Sequence, residues 1–268
     1  MLESRREAPQ ASRIVAQIPV TIAGRKIMVP AANAYHLQRF RWLADGLKEP
    51  GTQAWIRQTL RDGDVFLDVG ANVGIFTTLA AVVAPKATIY AFEPELQSAA
   101  ALAELVAINR LPVTVFAAAV GAQTGASVFH LNGAMKAGLS DHQLHRPVSH
   151  NGKAFTPAAT IGTMVASIDD LVAWGAIKPP THIKIDVDGQ DEQALDGARE
   201  TMRSCRWVAV ECQRNKAAEM IRKLQGFGFE PSAEYSRFKD EIHLYEWRKG
   251  EPSFGVFSES GMLVAERS

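Results

Sequence analysis

Between Phe66 and Ala81 the chain reads FLDVGANVGIFTTLAA, and no other stretch restricts the possible folds as tightly. Val65, Phe66, Leu67 and Val69 surround Asp68 in a short run of strand character, after which Gly70, Asn72 and Gly74 turn the chain into an apolar helical pattern. The order is strand, tight glycine turn, helix start. Gly70 and Gly74 lack a Cβ, so the backbone is free to take positive φ and a ligand can lie against it, while the unpaired N–H groups of the new helix face that ligand. Asp68 is the departure from neutrality. A carboxylate at the carboxyl end of a buried strand costs free energy unless a cation or a hydrogen-bond donor meets it.

Two cofactor classes use such a turn. A dinucleotide fold carries G-x-G-x-x-G and holds a pyrophosphate at the helix N-terminus. Here the spacing is D-x-G-x-N-x-G, and a carboxylate beside the turn repels a phosphate. It suits a ligand with an ammonium and a sulfonium, such as S-adenosylmethionine. Further on, TIYAFEPE (Thr88 to Glu95) reads as a second strand ending in Glu93, where an acid can accept hydrogen bonds from both ribose hydroxyls. One glycine turn alone is usually only a turn; strand, turn, helix, strand and acid in sequence point to a nucleoside cofactor.

The chain then alternates strand and helix. Helices are expected near Gly74 to Val83, Glu95 to Asn109, Asp191 to Met202 and Lys216 to Phe227. Val113 to Val120 is expected as one third strand whose small end leaves room for a planar ring, placing Ala119 near an adenine or, on the plainer reading, in core packing. His182 to Asp188 and Trp207 to Cys212 are the fourth and fifth strands, and Ser232 to Trp247 is expected to supply a terminal antiparallel pair. Repeated strand–helix units predict a doubly wound, mostly parallel α/β sheet with its ligand at the carboxyl ends of the strands.

Ahead of this core, residues 1 to about 12 are polar and expected to be disordered; Arg13 to Pro30 alternates and turns at Ala23-Gly24 as a β-hairpin, and an aromatic and basic helical pattern follows from Tyr35 to Leu47. This front part is expected to cap the pocket, with Trp55, Ile56 and Leu60 on one buried helix face. Glu49 and Thr52 sit close enough to the glycine turn to reach the methionine end of a ligand, or else are a solvated charge and a helix N-cap. The domain division is therefore 1–48 as hairpin and cap, 49–250 as cofactor-binding domain and 251–268 as tail.

From Gly121 to about Pro180 the spacing is too long for a simple crossover, so 121–166 reads as a substrate-facing insertion. Within it Ser167 is positioned as an N-cap, with Asp170 at the capping-box position. Asp141, His142 and His145 lack a second ligand pair at metal spacing, and either histidine is a candidate proton acceptor.

The chemistry is expected at the fourth strand, IKIDVDGQDEQALDGA. Lys184, Asp186 and Asp188 alternate, so a continuous strand points all three to one face. Packing does not explain three charges there; a local ion pair or a catalytic group does. Asp186 is the expected general base or hydroxyl-orienting group, Lys184 holds it, and Asp188 lies nearby. Glu211 on the adjacent strand joins them and, with Asp188, offers a hard cation such as Mg²⁺ two carboxylates.

Composition narrows the partners. Lys and Arg number 29, as do Asp and Glu, so no global field attracts a polyanion. Cys205 and Cys212 have no metal spacing and sit around a buried strand, which suits a reducing, cytoplasmic compartment. No apolar run approaches 18 residues, so neither an export signal nor a membrane span is expected.

The motifs EPGTQAWI, VFLDVGANVGIFT, YAFEPE, AVGAQTG and IKIDVDGQDEQALDGA together resemble the FkbM-type S-adenosylmethionine-dependent methyltransferases from Glu49 to about Trp247. The resemblance implies a class I methyltransferase fold with a seven-stranded sheet, cofactor binding by Asp68, Gly70, Asn72, Gly74 and Glu93, and O-methylation of a sugar, glycan or secondary metabolite. Asp188 and Asp191 stand where that family more often has Glu. Each keeps the charge and shortens the reach by a methylene. The expected partner is a small-molecule or glycan acceptor, without nucleic acid; a homodimer is left open. The competing readings are a nicotinamide-linked oxidoreductase, which predicts a third glycine, and a binding subunit that keeps the fold without turnover.

Overall fold

The structure is a computed structural model and describes residues 16–133, 137–138, 142–149, 152–213, 216–232, 237–238 and 260–267. In chain order the elements are β1 (Gln17–Ile22), β2 (Arg25–Pro30), α1 (Ala34–Ala44), α2 (Pro50–Thr59), β3 (Val65–Val69), α3 (Ile75–Val83), β4 (Thr88–Phe92), α4 (Leu96–Asn109), β5 (Val113–Phe116), β6 (Ala119–Val120), β7 (Gly125–Leu131), β8 (Gln143–Leu144), β9 (Ala159–Ala166), α5 (Ile168–Ala173), β10 (His182–Ile185), α6 (Asp191–Asp196), β11 (Trp207–Gln213), α7 (Ala217–Gly226), β12 (Phe229–Pro231), β13 (Arg237–Phe238) and β14 (Ser260–Arg267).

Every residue of β3 is buried, as a central strand covered on both faces requires. Its neighbours are β10 on one side and β4 on the other, both parallel, and seven strands run in the order β12-β14-β11-β10-β3-β4-β5. The doubly wound, mostly parallel sheet expected from the sequence is therefore present. The order reverses beside β3, and in an open α/β sheet the crevice at that switch point, outside the carboxyl ends of the strands, is where a ligand fits. One core cluster joins α2, α3 and α4 to the face carrying Phe66 and Ala91; the other packs α5, α6 and α7 on the face carrying Leu67 and Val210. Trp55, Ile56 and Leu60 are all within 1% of full burial, as their helical spacing predicts.

The hairpin forms as predicted, turning through Ala23 (φ 47°) and Gly24 (φ 81°). It leans on α4, where the Asn109 amide bonds both polar groups of Met28: Met28 N donates to Oδ1 at 2.8 Å and Nδ2 donates to the Met28 carbonyl at 2.8 Å.

Three expectations are corrected. The segment 113–120 is two strands: β5 closes the main sheet, whereas β6 joins a second sheet of order β6-β9-β7-β8. Within the expected 121–166 insertion, β7 and β9 pair antiparallel from Gly125↔Val165 to Leu131↔Ala159. The helix after the fourth strand ends at Asp196, with a 3₁₀ turn over Thr201–Arg203. Finally, residues 260–267, assigned to a tail, form β14 between β11 and β12, antiparallel to both, with Met262 to Ala265 buried. Four consecutive apolar residues form a strand with no polar face, so alternation gives no signal there. The strand pair expected over 232–247 falls mostly outside the described residues, as do Asp141 and residues 1–12. Ser167 does cap α5, accepting from Asp170 N at 3.1 Å, but Thr124 completes the box by accepting from Ser167 N and donating to Asp170. Among the described residues, no helix is long and apolar enough to cross a membrane.

Candidate active site

The carboxyl ends of β3, β4, β10 and β11 open into one cleft lined by Glu49, Asn72, Glu93, Asp186, Asp188 and Glu211. Among the described residues six non-glycine positions have positive φ, and three of them, Glu49 (φ 45°), Asn72 (φ 52°) and Asp188 (φ 48°), line this cleft. Such conformations are sparsely populated outside glycine, and their concentration in one place marks a site the surrounding structure holds in shape.

The turn after β3 sets the floor. Gly70 has φ +76°, and a Cβ there would stand 1.9 Å from the carbonyl oxygen of Asp186, so the two chains approach as closely as only glycine permits. Gly74 serves a different end from the expected ligand contact: its Cβ would strike Leu102 Cδ1 at 2.3 Å, so it lets α3 pack against α4 and does not line the cleft. Asn72 N donates to Glu93 Oε2 at 2.8 Å and Glu95 N donates to Oε1 at 2.7 Å, fixing the Glu93 carboxylate at the tip of β4. Burial pushes Glu93 up to about 7, against those two amides, with the Glu95 and Asp188 carboxylates adding to the rise.

Beneath the floor lies an ionic chain. Lys184 Nζ stands 3.1 Å from Asp186 Oδ2 and 3.5 Å from Asp68 Oδ1, and is 1% exposed. Thr77 Oγ1 donates to Asp68 Oδ2 at 2.5 Å. Burial alone lowers an ammonium pKa, but the carboxylates of Asp186, Asp68 and Glu49 outweigh it and hold Lys184 above the usual lysine range. Asp68 is thus the buried counter-ion of Lys184 and does not line the cleft, contrary to its expected ligand contact; Asp186, 28% exposed, is the end of the chain that does.

The strand β10 stops at Ile185, which corrects the expected alternation of three charges. Lys184 and Asp186 meet, but Asp188 reaches the cleft from a left-handed turn held by Asp191, whose carboxylate accepts from Val187 N at 3.1 Å and Gly189 N at 3.2 Å. Burial lifts Asp191 to about 7. Glu49 stands at the N-cap position of α2 ahead of Pro50 without a side-chain capping bond and pairs with Lys48, while Thr52, buried and donating to Glu49 at 3.3 Å, lies behind it as neither cleft residue nor N-cap.

Beside the cleft a smaller hollow is lined by Ala119 together with Phe92, Pro94, Val120 and Val187, an apolar slot of the kind a flat ring fills. His142 borders both spaces and its Nδ1 accepts from Asn132 N at 3.0 Å. His145 does not join it: it pairs with Ser127 at 2.7 Å on a different hollow behind the ribbon. Sequence reasoning assigned no ligand contact to Tyr35, Arg39 and Trp42 of α1 or to Phe129 of β7, all of which line the cleft. Their i, i+4, i+7 spacing on α1 was the available signal. Among the described residues no group of three or more His, Cys, Asp or Glu is placed to hold a metal ion, so the Mg²⁺ suggestion for Asp188 and Glu211 gains no support.

The model of the methyltransferase FkbM domain matches residues 68–231, a span that contains the glycine turn, Glu93 and the Lys184–Asp186 pair. The chain belongs to the FkbM methyltransferase family. Within that family it is 30% identical over 177 residues to the hexuronic acid methyltransferase AglP of Haloferax volcanii, covering 65% of this chain and 67% of the relative. It is 29% identical over 197 residues to the 31-O-demethyl-FK506 methyltransferase FkbM of Streptomyces tacrolimicus, covering 65% and 76%. The 2-O-methyltransferase NoeI of Sinorhizobium fredii shares 24% over 187 residues, covering 65% and 75%. An FkbM-family site needs room for S-adenosylmethionine, and the residues present fit it: an acid fixed by two amides at the tip of β4, an apolar slot beside it, and carboxylates rather than phosphate-binding cations around the turn.

Proposed function

We propose that the protein methylates a hydroxyl group of a sugar, glycan or secondary metabolite, with S-adenosylmethionine as donor. The observation that carries this reading is the convergence of Glu93, the Gly70 turn and the Lys184-held Asp186 on one cleft at the switch point of the sheet. S-adenosylmethionine supplies an electrophilic methyl on a sulfonium. The chain's own part is alignment, exclusion of water and removal of a proton. In this reading Glu93 accepts from the ribose hydroxyls, the Ala119 slot takes the adenine, and Glu49, Gly70 and Asn72 border the methionine end. Asp68 and Gly74 act indirectly, by holding Lys184 and by seating α3.

Asp186 orients the acceptor hydroxyl and takes its proton. A carboxylate paired to a cation is a weak base, but a hydroxyl oxygen that shares its lone pair loses its proton readily, so ordinary carboxylate strength suffices. Lys184 fixes Asp186, and Asp188, Glu211 and His142 complete the wall. The relatives' printed activities, on a hexuronic acid, on demethylated FK506 and at a 2-O position, support an oxygen acceptor of polyhydroxy type. The β1–β2 hairpin and α1 cap the site, the elements from α2 onward form the catalytic domain with β14 included, and the protein acts in the cytoplasm on small molecules or glycans rather than nucleic acid.

The test is incubation of the purified protein with methyl-labelled S-adenosylmethionine and fractionated host extracts, with and without chelator. Label in a hydroxyl-bearing small molecule or glycan is expected; label confined to protein or RNA overturns the reading.

A further inference from the structure

The cleft has two walls of opposite character. Its floor carries five carboxylates, Glu49, Glu93, Asp186, Asp188 and Glu211. Among the described residues only Arg39 and Lys48 bring positive charge to the lining, and Lys48 is bound to Glu49. Arg39 stands apart. It lies on α1 between Tyr35 and Trp42, at the i, i+4, i+7 spacing that puts all three on one helix face.

The Arg39 side chain is held, and no carboxylate among the described residues neutralises it. Nη1 donates to the Gly138 carbonyl at 2.6 Å, and the guanidinium carbon sits 5.7 Å from the Tyr35 ring centroid. No carboxylate among the described residues lies within ion-pair distance of it, although the cleft holds five. Its Nε is buried with no acceptor. A buried Nε is out of a ligand's reach, so a ligand meets the guanidinium through its outer nitrogens, of which Nη1 already has the Gly138 carbonyl and keeps a second N–H. A planar fork suits a carboxylate better than any other common anion, because two parallel N–H donors match its two oxygens.

The aromatic neighbours point the same way. Tyr35 is 44% and Trp42 37% exposed, and their rings meet edge to face at 6.3 Å between centroids. Large rings bordering a polar cleft are amphipathic platforms, apolar on the face and hydrogen-bonding at the rim. The apolar C–H face of a pyranose fits such a platform, and its hydroxyls then point to the acidic floor.

We infer that α1 forms the acceptor subsite and that the acceptor is an acidic sugar, its ring on Tyr35 and Trp42 and its carboxylate on Arg39. This deepens, and rests on, the methyl-transfer reading. Among the described residues Arg39 is the lining cation without a paired carboxylate, so a negative group of the acceptor is held there in preference to the carboxylate-rich remainder of the lining. Arg39 thus separates the negative part of the acceptor from the carboxylate that takes its proton.

The experiment measures binding of p-nitrophenyl β-D-glucuronide and p-nitrophenyl β-D-glucoside to the full chain saturated with S-adenosylhomocysteine, by calorimetric titration. The wild type is expected to prefer the glucuronide by about tenfold or more, the size of a charge-assisted contact. Arg39→Gln should abolish the preference while leaving glucoside and S-adenosylhomocysteine binding within about twofold, and Arg39→Lys should restore part of it. Trp42→Ala should weaken both sugars alike. Equal affinity for the two glycosides, absence of binding of either, or a preference surviving in Arg39→Gln overturns the inference with the methyl-transfer reading intact. Failure of the wild type to bind S-adenosylhomocysteine overturns both. If Arg39→Gln unfolds, Arg39→Lys decides instead, and an undiminished preference for the glucuronide over the glucoside in that variant refutes the inference.

Discussion

Glu93 ties cofactor affinity to pH. Its carboxylate is fixed by Asn72 N and Glu95 N and lifted by burial to about 7, so half of it is protonated near neutrality. A ribose that donates both hydroxyls to this group binds the ionised form, and binding therefore expels a proton. At pH 8 about nine-tenths of the group is ionised and at pH 6 about one-tenth, so affinity should rise roughly tenfold between them and then level off. Adenosine is the probe of choice, since it has no group that titrates in that interval. Calorimetry in two buffers of different ionisation enthalpy should show about half a proton released per adenosine at pH 7. Glu93→Gln should flatten the dependence and weaken binding at pH 8 by about 10- to 100-fold, one or two charge-assisted hydrogen bonds. Stability moves in the opposite sense. Because the folded value lies above 4.5, the stabilisation from protonated Glu93 is complete below pH 4.5 and is lost as pH rises through 7, about 3 kcal/mol in all, and the glutamine variant should lack that slope. Adenosine affinity that is flat from pH 6 to 8 in the wild type refutes the assignment of Glu93 to the ribose.

Three further substitutions probe the rest of the site. Asp186→Asn should cut turnover by about 10² or more with S-adenosylhomocysteine affinity nearly unchanged; an undiminished rate of label transfer removes Asp186 as proton acceptor. Lys184→Met should cost about 3–5 kcal/mol in urea unfolding, because it leaves Asp68 buried without its cation. In the wild type that stabilisation is complete below the ordinary lysine value of 10.5 and is lost only as pH climbs through the raised folded value, so a loss under about 1 kcal/mol at neutral pH contradicts the buried pair. Gly70→Ala, at φ +76° and 1.9 Å from the Asp186 carbonyl, should displace the turn that carries Asp186 and abolish transfer; a crystal structure of the variant with both loops unmoved counts against that geometry.

The parts legible in the sequence were those set by contiguous residues. Val65 to Val83 announces strand, turn and helix because apolar period and glycine placement act within a few residues, and Glu93 follows from where the next strand must end. The same local signals located the hairpin, the buried face of α2 and the cap at Ser167. Only the fold decided which distant groups meet. Asp68 reads as a ligand contact until β10 lies beside β3 and brings Lys184 to it; Gly74 reads as a ligand cradle until α4 supplies Leu102. The end of β10 at Ile185 moves Asp188 off the expected face, and β14 enters the sheet from a stretch with no alternation to reveal it. Only the fold brings Arg39 into one lining with five carboxylates contributed by segments spread from Glu49 to Glu211. Local periodicity is written in neighbouring residues, whereas burial and charge pairing depend on which surfaces the folded chain presses together.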